Sequence, residues 1–430
     1  MINLKDYREN PQKYINGATN KWIEIDRNTF DESDKKVRAL QTSIDELKSK
    51  RNTLSQQVSQ SEKWSEEFLW LVKEVQEIKS TLSPLEEEYE DVHATFSGLL
   101  GKIPSPAFDD VILWKSDEEN QVLGYIWEKK EYDFEPKSHR DLLEAKWLLD
   151  QERAVKISGA RFQIMRGQFA QLQFALISRA INKLVGKGFN LTLVPQLVKK
   201  DALFATWYLP NESSNIYRVN PTLEGQEQDQ REEDDLWLIW TSEVPLIAQH
   251  SNETLSWEQL PLRYVGYSSC YRREAGTYGK DTKGMIRLHQ FDKIEMVSFV
   301  EPEDSNKEHE MLREIEEEIF TDLGLHFQRI DICTGDLGAP AAKKYDLEAW
   351  FPGVGKYVEI TSTSNTTDFQ TRRANIKVKN WTDKYFAHSL NGTAIALWRA
   401  LAAIVEQYQT KEGDVLVPEV LKKYLDFDQF

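Results

Sequence analysis

The chain has 430 residues, 40% of them hydrophobic and 29% charged, with a formal net charge of −17. Such a length suits two or three domains, and the acidity argues against a general nucleic-acid coat while leaving room for a local basic site. Cys270 and Cys333 lie far apart and match no CxxC spacing, so neither a disulfide framework nor a structural zinc is expected, and a reducing compartment is. The opening stretch MINLKDYRENPQKY is polar and predicts no secretory segment. No apolar run approaches the roughly 18 residues of a membrane helix.

In chain order, Val37, Leu40, Ile44, Leu47, Leu54 and Val58 keep a 3-4 spacing in which Arg51 fills one seam position. Phe68, Leu71, Val75, Ile78, Leu82, Leu85, Tyr89, Val92, Phe96 and Leu99 then repeat it. These are a/d heptads on two successive helices. The polar segment SQSEKWSEE between them predicts an antiparallel helical hairpin. At about 1.5 Å per residue each helix reaches roughly 40–50 Å, with a local kink expected at Pro84. Such a hairpin is either a packing or dimerisation element or a projecting arm. If it meets a polyanion, Lys48, Lys50, Arg51 and Lys63 are the candidate contacts, since the second helix is rich in glutamate. GKIPSP (101–106) reads as a linker.

Beyond residue 140 the pattern is mixed. FAQLQFALISRAINKLVGKGF (169–189) predicts a helix stopped by Gly186 and Gly188. NLTLVPQLV predicts a short strand, and the acidic stretch 221–235 predicts a solvated loop. LRYVGYSSCYR, HQFDKIEMVSFV and YDLEAWFPGVGKYVEITSTSN read as mostly antiparallel strands. NKEHEMLREIEEEIFTDLG and NGTAIALWRALAAIVEQYQ read as helices. The order predicts an α+β fold on an antiparallel sheet.

The stretch YRREAGTYGKDTKGMIRLHQFDKIEMV (271–297) concentrates three arginines, three lysines and three glycines. Alternation on a hairpin would present Arg272, Glu274, Arg287, Phe291 and Glu295 together, with His289 and Lys293 on the same strand face. Two arginines can clamp phosphate oxygens, an aromatic ring can stack on a purine, and carboxylates can hold an ammonium group or a metal. The alternative is a surface salt-bridge ladder.

YRRE…RLHQFDKIE resembles motif 2 of the class II aminoacyl-tRNA synthetases, and in detail that of bacterial-type seryl-tRNA synthetases. The hairpin resembles that family's tRNA-binding arm, and GFNLTLVPQLV resembles motif 1, which in the family belongs to the dimer interface. TSEVPL (241–246) resembles its serine-binding segment, VEITSTSNTTDFQTRR (358–373) its ATP and magnesium segment, and NGTAIALWRAL (391–401) its motif 3. VPEVLKKY near the end is also similar. Together these cover nearly the whole chain.

The resemblance implies an arm domain over 1–105 and a catalytic domain over 106–430. It implies ATP contacts from Arg272, Arg273, Glu274, Arg287, Leu288, Phe291, Glu359, Ile360, Thr361, Ser362 and Arg399. Within that set Arg272 would meet the α-phosphate, Arg287 and Arg399 the β- and γ-phosphates, and Phe291 the adenine. Glu359 and Ser362 would hold Mg2+. Thr241, Ser242, Glu243, Arg272, Glu295 and Thr393 would bind serine, with Glu295 and Thr393 reading its hydroxyl, and Arg272, Glu295 and Arg399 would be the catalytic set. Lys280 and Lys283, with Arg273, would face the incoming acceptor end of the tRNA. The zinc-dependent variety of the enzyme is not expected, because its site needs cysteine ligands near the serine pocket.

The implied protein is a cytoplasmic homodimer, with no membrane partner, that charges tRNA(Ser), and tRNA(Sec) where the organism has one. The rivals are an adenylating ligase that loads a carrier protein, which would lack the long arm, and a non-catalytic paralogue, which would have lost Arg272, Glu295, Glu359 or Arg399. Arg273, Thr393 and Trp398 depart from the family pattern. Trp398 either crowds the phosphate pocket or turns into the helix-packing core.

Overall fold

The heptad segments form two long helices, α1 (Arg27–Gln60) and α2 (Glu66–Leu100). Asp26 caps the first by accepting from the Thr29 N–H, and Ser65 caps the second by accepting from the Phe68 N–H. The seam buries Ile44, Leu54, Leu71, Ile78 and Leu82, with Leu47, Val58, Val75, Leu85 and Tyr89 packed around them. Toward the base the ring of Phe30 stacks on that of Phe96. Helix α2 continues through Pro84, which lies on its solvent side. Lys36–Glu88, Lys48–Glu86 and Lys50–Glu74 ion pairs link the two helices.

The computed structural model describes residues 1–219, 235–275 and 286–430. Within it the hairpin is a compact unit of its own, residues 23–103, and residues 1–22 join 104–430 in a second unit. The sequence reading grouped residues 1–22 with the hairpin. Their contacts lie elsewhere, with Gly17 against Pro106 and Lys21 reaching the segment 338–341. Among the described residues no helix is long and apolar enough to cross a membrane.

The larger unit is built on an eight-stranded sheet. In chain order its strands are β1 (Gln121–Ile126), β2 (Asn190–Thr192), β3 (Leu262–Tyr271) and β4 (Gln290–Val300), then β5 (Phe327–Asp331), β6 (Lys343–Phe351), β7 (Lys356–Asn365) and β8 (His388–Ala396). In space they run β1-β5-β6-β7-β8-β4-β3-β2. Every neighbouring pair is antiparallel except β2 with β3. Helices α3 (Gly167–Gly186), α4 (Ser305–Asp322) and α5 (Leu397–Gln407) share one apolar core with the inward side chains of the sheet, including Phe169, Leu172, Ile294, Met296, Leu312, Phe320, Ile360, Ile395 and Leu401.

Two elements differ from their sequence reading. NLTLVPQLV splits at Pro195, with β2 joining the large sheet and Leu197–Val198 pairing in a separate three-stranded sheet. A proline with no N–H cannot continue a ladder. NGTAIA, read as the start of the last helix, is instead strand β8, and α5 begins only at Leu397. Asn391, Gly392 and Thr393 are weak helix formers, and Gly392 serves close packing, since a Cβ there would come 2.7 Å from Glu316 Oε1 on α4.

Candidate active site

The sheet face opposite the helices lines a cleft. On β4, Phe291, Lys293 and Glu295 are two apart and share this face, while Ile294 and Met296 enter the core. Arg287 and His289 precede the strand, which starts at Gln290, so the expected alternation does not extend to them. Arg287 still lines the cleft. His289 does not: its Nδ1 lies 2.9 Å from the Arg272 carbonyl oxygen and its ring packs beside Phe162. Gly266 stands opposite Glu295, where a Cβ would come 3.0 Å from Leu246 and 3.1 Å from Ser242. Glycine there lets the Glu243–Ala248 helix approach the sheet.

Two adjoining pockets make up the cleft. The first is lined by Arg272, Glu274, Arg287, Leu288, Phe291 and Arg399, among others. The Arg272 guanidinium sits 5.1 Å from the Phe291 ring centroid and 4.9 Å from that of Trp240, a cation–π arrangement that fixes its plane. Its buried Nε has no hydrogen-bond partner among the described residues. Arg287 pairs with Glu274 at 3.4 Å. Arg399, in the first turn of α5, donates to the Glu359 carbonyl at 2.8 Å and pairs with its carboxylate at 3.2 Å. Removal from bulk water works to raise the Glu359 pKa. The charges of Arg399, Lys344 and Arg272 outweigh it and hold the carboxyl below its ordinary value. Trp398 is buried, with its ring edge-on to His139 at 5.8 Å and Phe169 at 6.0 Å, and it also lines the first pocket.

The second pocket shares Arg272, Lys293, Glu359 and Thr393 with the first. Two carboxylates converge on it. Glu243 Oε1 accepts from Gln370 Nε2 at 2.6 Å and Asn391 Nδ2 at 2.9 Å, and its Oε2 accepts from the Tyr208 hydroxyl at 3.1 Å. Burial, and then the charge of Glu295, raise the Glu243 pKa. Glu295 is ion-paired with Lys293 and accepts from the Thr393 hydroxyl at 3.2 Å. Lys293 Nζ also donates to Thr393 Oγ1 at 3.4 Å. The arrangement suits a zwitterion with a small polar side chain, held beside an arginine that also faces the first pocket.

Bulges set which side chains reach the cleft. On β7, Thr361 pairs with Leu347 but Glu359 with Glu348, leaving Ile360 as the extra residue. Residues 359 and 362 would face opposite sides of a regular strand. The bulge brings Glu359 and Ser362 to the same cleft face, with Ser364 following. On β8 the extra residue is Ala394, and Thr393 and Ala396 both face the cleft. Among the described residues no group of three His, Cys, Asp or Glu is placed to hold a metal. Mg2+ commonly takes one or two protein oxygens and completes its shell with phosphate and water. An ionised Glu359 beside the Ser362 hydroxyl fits that habit.

Several expected site residues lie outside the cleft surface. The Thr361 hydroxyl is turned to α4, where it donates to Glu316 Oε2 at 2.8 Å, while Ile360 reaches the first pocket wall from the core. Thr241 is buried and its Oγ1 accepts from the Glu243 N–H, so it supports Glu243. Ser242 is buried against Gly266. The Arg273 backbone is held by the Asn215 carbonyl at 2.9 Å. On the hairpin Lys48 and Lys50 face Glu86 and Glu74, Arg51 donates to Asn52, and Lys63 is exposed at the tip. Lys280 and Lys283 lie outside the described residues, as does most of the acidic stretch 221–235. Lys293, Tyr208, Trp240, Gln370 and Asn391 were not among the expected site residues. The period-two spacing with Phe291 and Glu295 puts Lys293 on their face but gives it no role. For Tyr208 and Gln370 no local pattern exists, because they arrive from distant segments.

The geometry agrees with what the chain is similar to. Residues 1–106 match the family model for the seryl-tRNA synthetase N-terminal domain, and residues 217–408 match that for the class II tRNA synthetase core domain (G, H, P, S and T). A serine–tRNA ligase of Thermodesulfovibrio yellowstonii is 38% identical over 100% of this chain and 99% of its own length. The crystal structure of seryl-tRNA synthetase from Pyrococcus horikoshii complexed with ATP superposes with a TM-score of 0.85 at 35% identity, covering 100% of this chain and 99% of that one. A cytoplasmic serine–tRNA ligase from Naegleria fowleri in complex with AMP gives 0.79 at 31% identity, covering 96% of this chain and 94% of that one. With its helical hairpin, its antiparallel sheet and its paired pockets, the chain belongs to the serine–tRNA ligase family of class II aminoacyl-tRNA synthetases.

Proposed function

We propose that the chain activates L-serine with ATP and transfers the seryl group to the 3′ end of tRNA(Ser), and to tRNA(Sec) where that substrate exists. The observation that carries this reading is Arg272, which faces both pockets and joins a carboxylate-lined chamber to an arginine-rich one. Glu243 takes the serine ammonium, and Glu295, oriented by Lys293 and Thr393, accepts from the serine hydroxyl. Alanine in that chamber would leave buried polar atoms unpaired, which is a strong basis for rejection.

The first step needs no general base. The serine carboxylate attacks the α-phosphorus, the bond to the bridging oxygen breaks, and pyrophosphate leaves. Arg272 neutralises charge at the α-phosphate, and Arg287 and Arg399 hold the β- and γ-phosphates. Phe291 stacks on the adenine. Glu359 and Ser362 would hold Mg2+, which when bound supplies further neutralisation of phosphate charge. In the second step the terminal ribose hydroxyl attacks the seryl carbonyl and AMP leaves.

The helical arm within the 1–105 domain grips the tRNA, and the catalytic domain 106–430, with which residues 1–22 form one unit, does the chemistry. Phe174 on α3 and Leu191 and Leu193 at β2 are exposed large apolar side chains, which supports a homodimer through this face. We place the enzyme in the cytoplasm with its tRNA. The test is charging of labelled serine onto the organism's own tRNA with ATP and magnesium. Serine-specific charging supports the reading. Serine-dependent ATP–pyrophosphate exchange without charging would favour a carrier-protein ligase, and loss of both would favour a non-catalytic paralogue.

A further inference from the structure

One wall of the second pocket, residues 337–341, belongs to no helix or strand. It lines the same chamber as Glu243, Glu295 and Thr393. Gly338 has φ +74, a left-handed conformation that glycine adopts without strain. Behind this wall lies Lys21, which follows the short helix Pro11–Asn20. Its side chain is buried, and its Nζ donates to the carbonyl oxygens of Gly338 at 2.9 Å, Ala339 at 3.3 Å and Ala341 at 2.6 Å.

An ammonium group has three protons, and here each meets a backbone carbonyl. Burying such a cation is costly, and burial lowers the Lys21 pKa to about 7. An apolar side chain would fill the space without that cost, but it would take away the donor shared by three inward carbonyls, of which, among the described residues, only that of Ala339 keeps another, the Ser105 N–H. The Ser105 N–H also donates to the Ala339 carbonyl at 2.9 Å, and the Phe108 N–H to that of Ala342 at 3.0 Å. The wall is therefore drawn backward by its carbonyls from two separate stretches of chain.

We propose that Lys21 is a positioning residue for the amino-acid pocket: its buried ammonium gathers the carbonyls of Gly338, Ala339 and Ala341 and so sets the wall 337–341 against the carboxylates that receive the substrate. This rests on the reading of that pocket as the serine site. Lys21 touches no substrate and lies behind the amino-acid side of the cleft, so its loss acts on serine and spares ATP.

The test is serine-dependent ATP–pyrophosphate exchange on the full-length wild type, K21M and G338A, with the KM for serine and for ATP measured separately. K21M keeps the length of the stem and removes the donors. Losing charge-assisted hydrogen bonds is expected to raise the serine KM about tenfold, with the ATP KM changed less than about twofold. G338A disturbs the same wall without disturbing the buried charge and is expected to show the same split, so it carries the test if K21M fails to fold. The double variant is expected to be less than additive. An unchanged serine KM in a folded K21M, or an equal rise in both KM values, would overturn the proposal. A wild type with no serine-dependent exchange would overturn the serine reading, and this inference with it.

Discussion

Replacing Lys293 by methionine tests the central electrostatic claim. Lys293 and Glu295 are 7% and 2% exposed, and Glu295 raises the pKa of the buried Glu243. Removing the ammonium leaves two carboxylates in one chamber with their nearest compensating charge gone. Breaking a buried pair from one side costs about 3–5 kcal/mol, a large share of a typical stability of roughly 5–15 kcal/mol. The cost depends on pH with a definite sign. Glu243 titrates above its unfolded value because of burial and Glu295, and Lys293 is among the groups that oppose this. Without Lys293 the native state holds a proton over a wider range, so stability falls further as pH rises. Urea unfolding of the larger unit, followed by tryptophan fluorescence at pH 6 and pH 8.5, should show a larger deficit at the higher pH. The variant K293M/E295Q should regain most of the stability but not serine activation. A K293M deficit below about 1 kcal/mol at both pH values would refute the reasoning, because it would mean that water already screens the pair.

Three further outcomes are expected. Glu359 is held below its ordinary pKa chiefly by Arg399, against the opposing effect of burial, so R399Q should move the acid limb of the exchange activity to higher pH as well as lowering its maximum; an unmoved limb would count against that coupling. F291A removes the ring that Arg272 stacks on and should raise the ATP KM by roughly tenfold, in line with about 1–3 kcal/mol per stacked base, while the serine KM changes little. Charge reversal at Lys48 and Lys50 on the arm, or at Lys280 and Lys283, should weaken tRNA charging more than pyrophosphate exchange and flatten its salt dependence by about one unit per lost phosphate contact; equal loss of both activities would contradict the division.

Much of this molecule was legible along the chain because its information is local. The hairpin follows from a heptad that needs no other segment to be read. The segment 271–297 announced its charge, and the resemblance of seven ordered segments carried the family and most of the cleft residues. The errors arose where tertiary packing set the boundary of an element. NGTAIA runs directly into the helical LWRALAAIVEQ, yet it is a strand of the large sheet, in which Gly392 lets α4 pack closely. The expected pairing of Glu359 with Ser362 came from resemblance alone. Strand alternation would have separated them, and only the bulge at Ile360 explains how they share a face.

The same distinction divides the active site. Spacing two apart along β4 was enough to put Phe291 and Glu295 on one face, because strand geometry has a fixed period. Tyr208, Gln370 and Lys21 carry no such signal. They reach Glu243 and the 337–341 wall from 35, 127 and more than 300 residues away in sequence. Contacts of that kind are created by the closure of the chain on itself, where buried donors and acceptors must find partners wherever the fold has brought them.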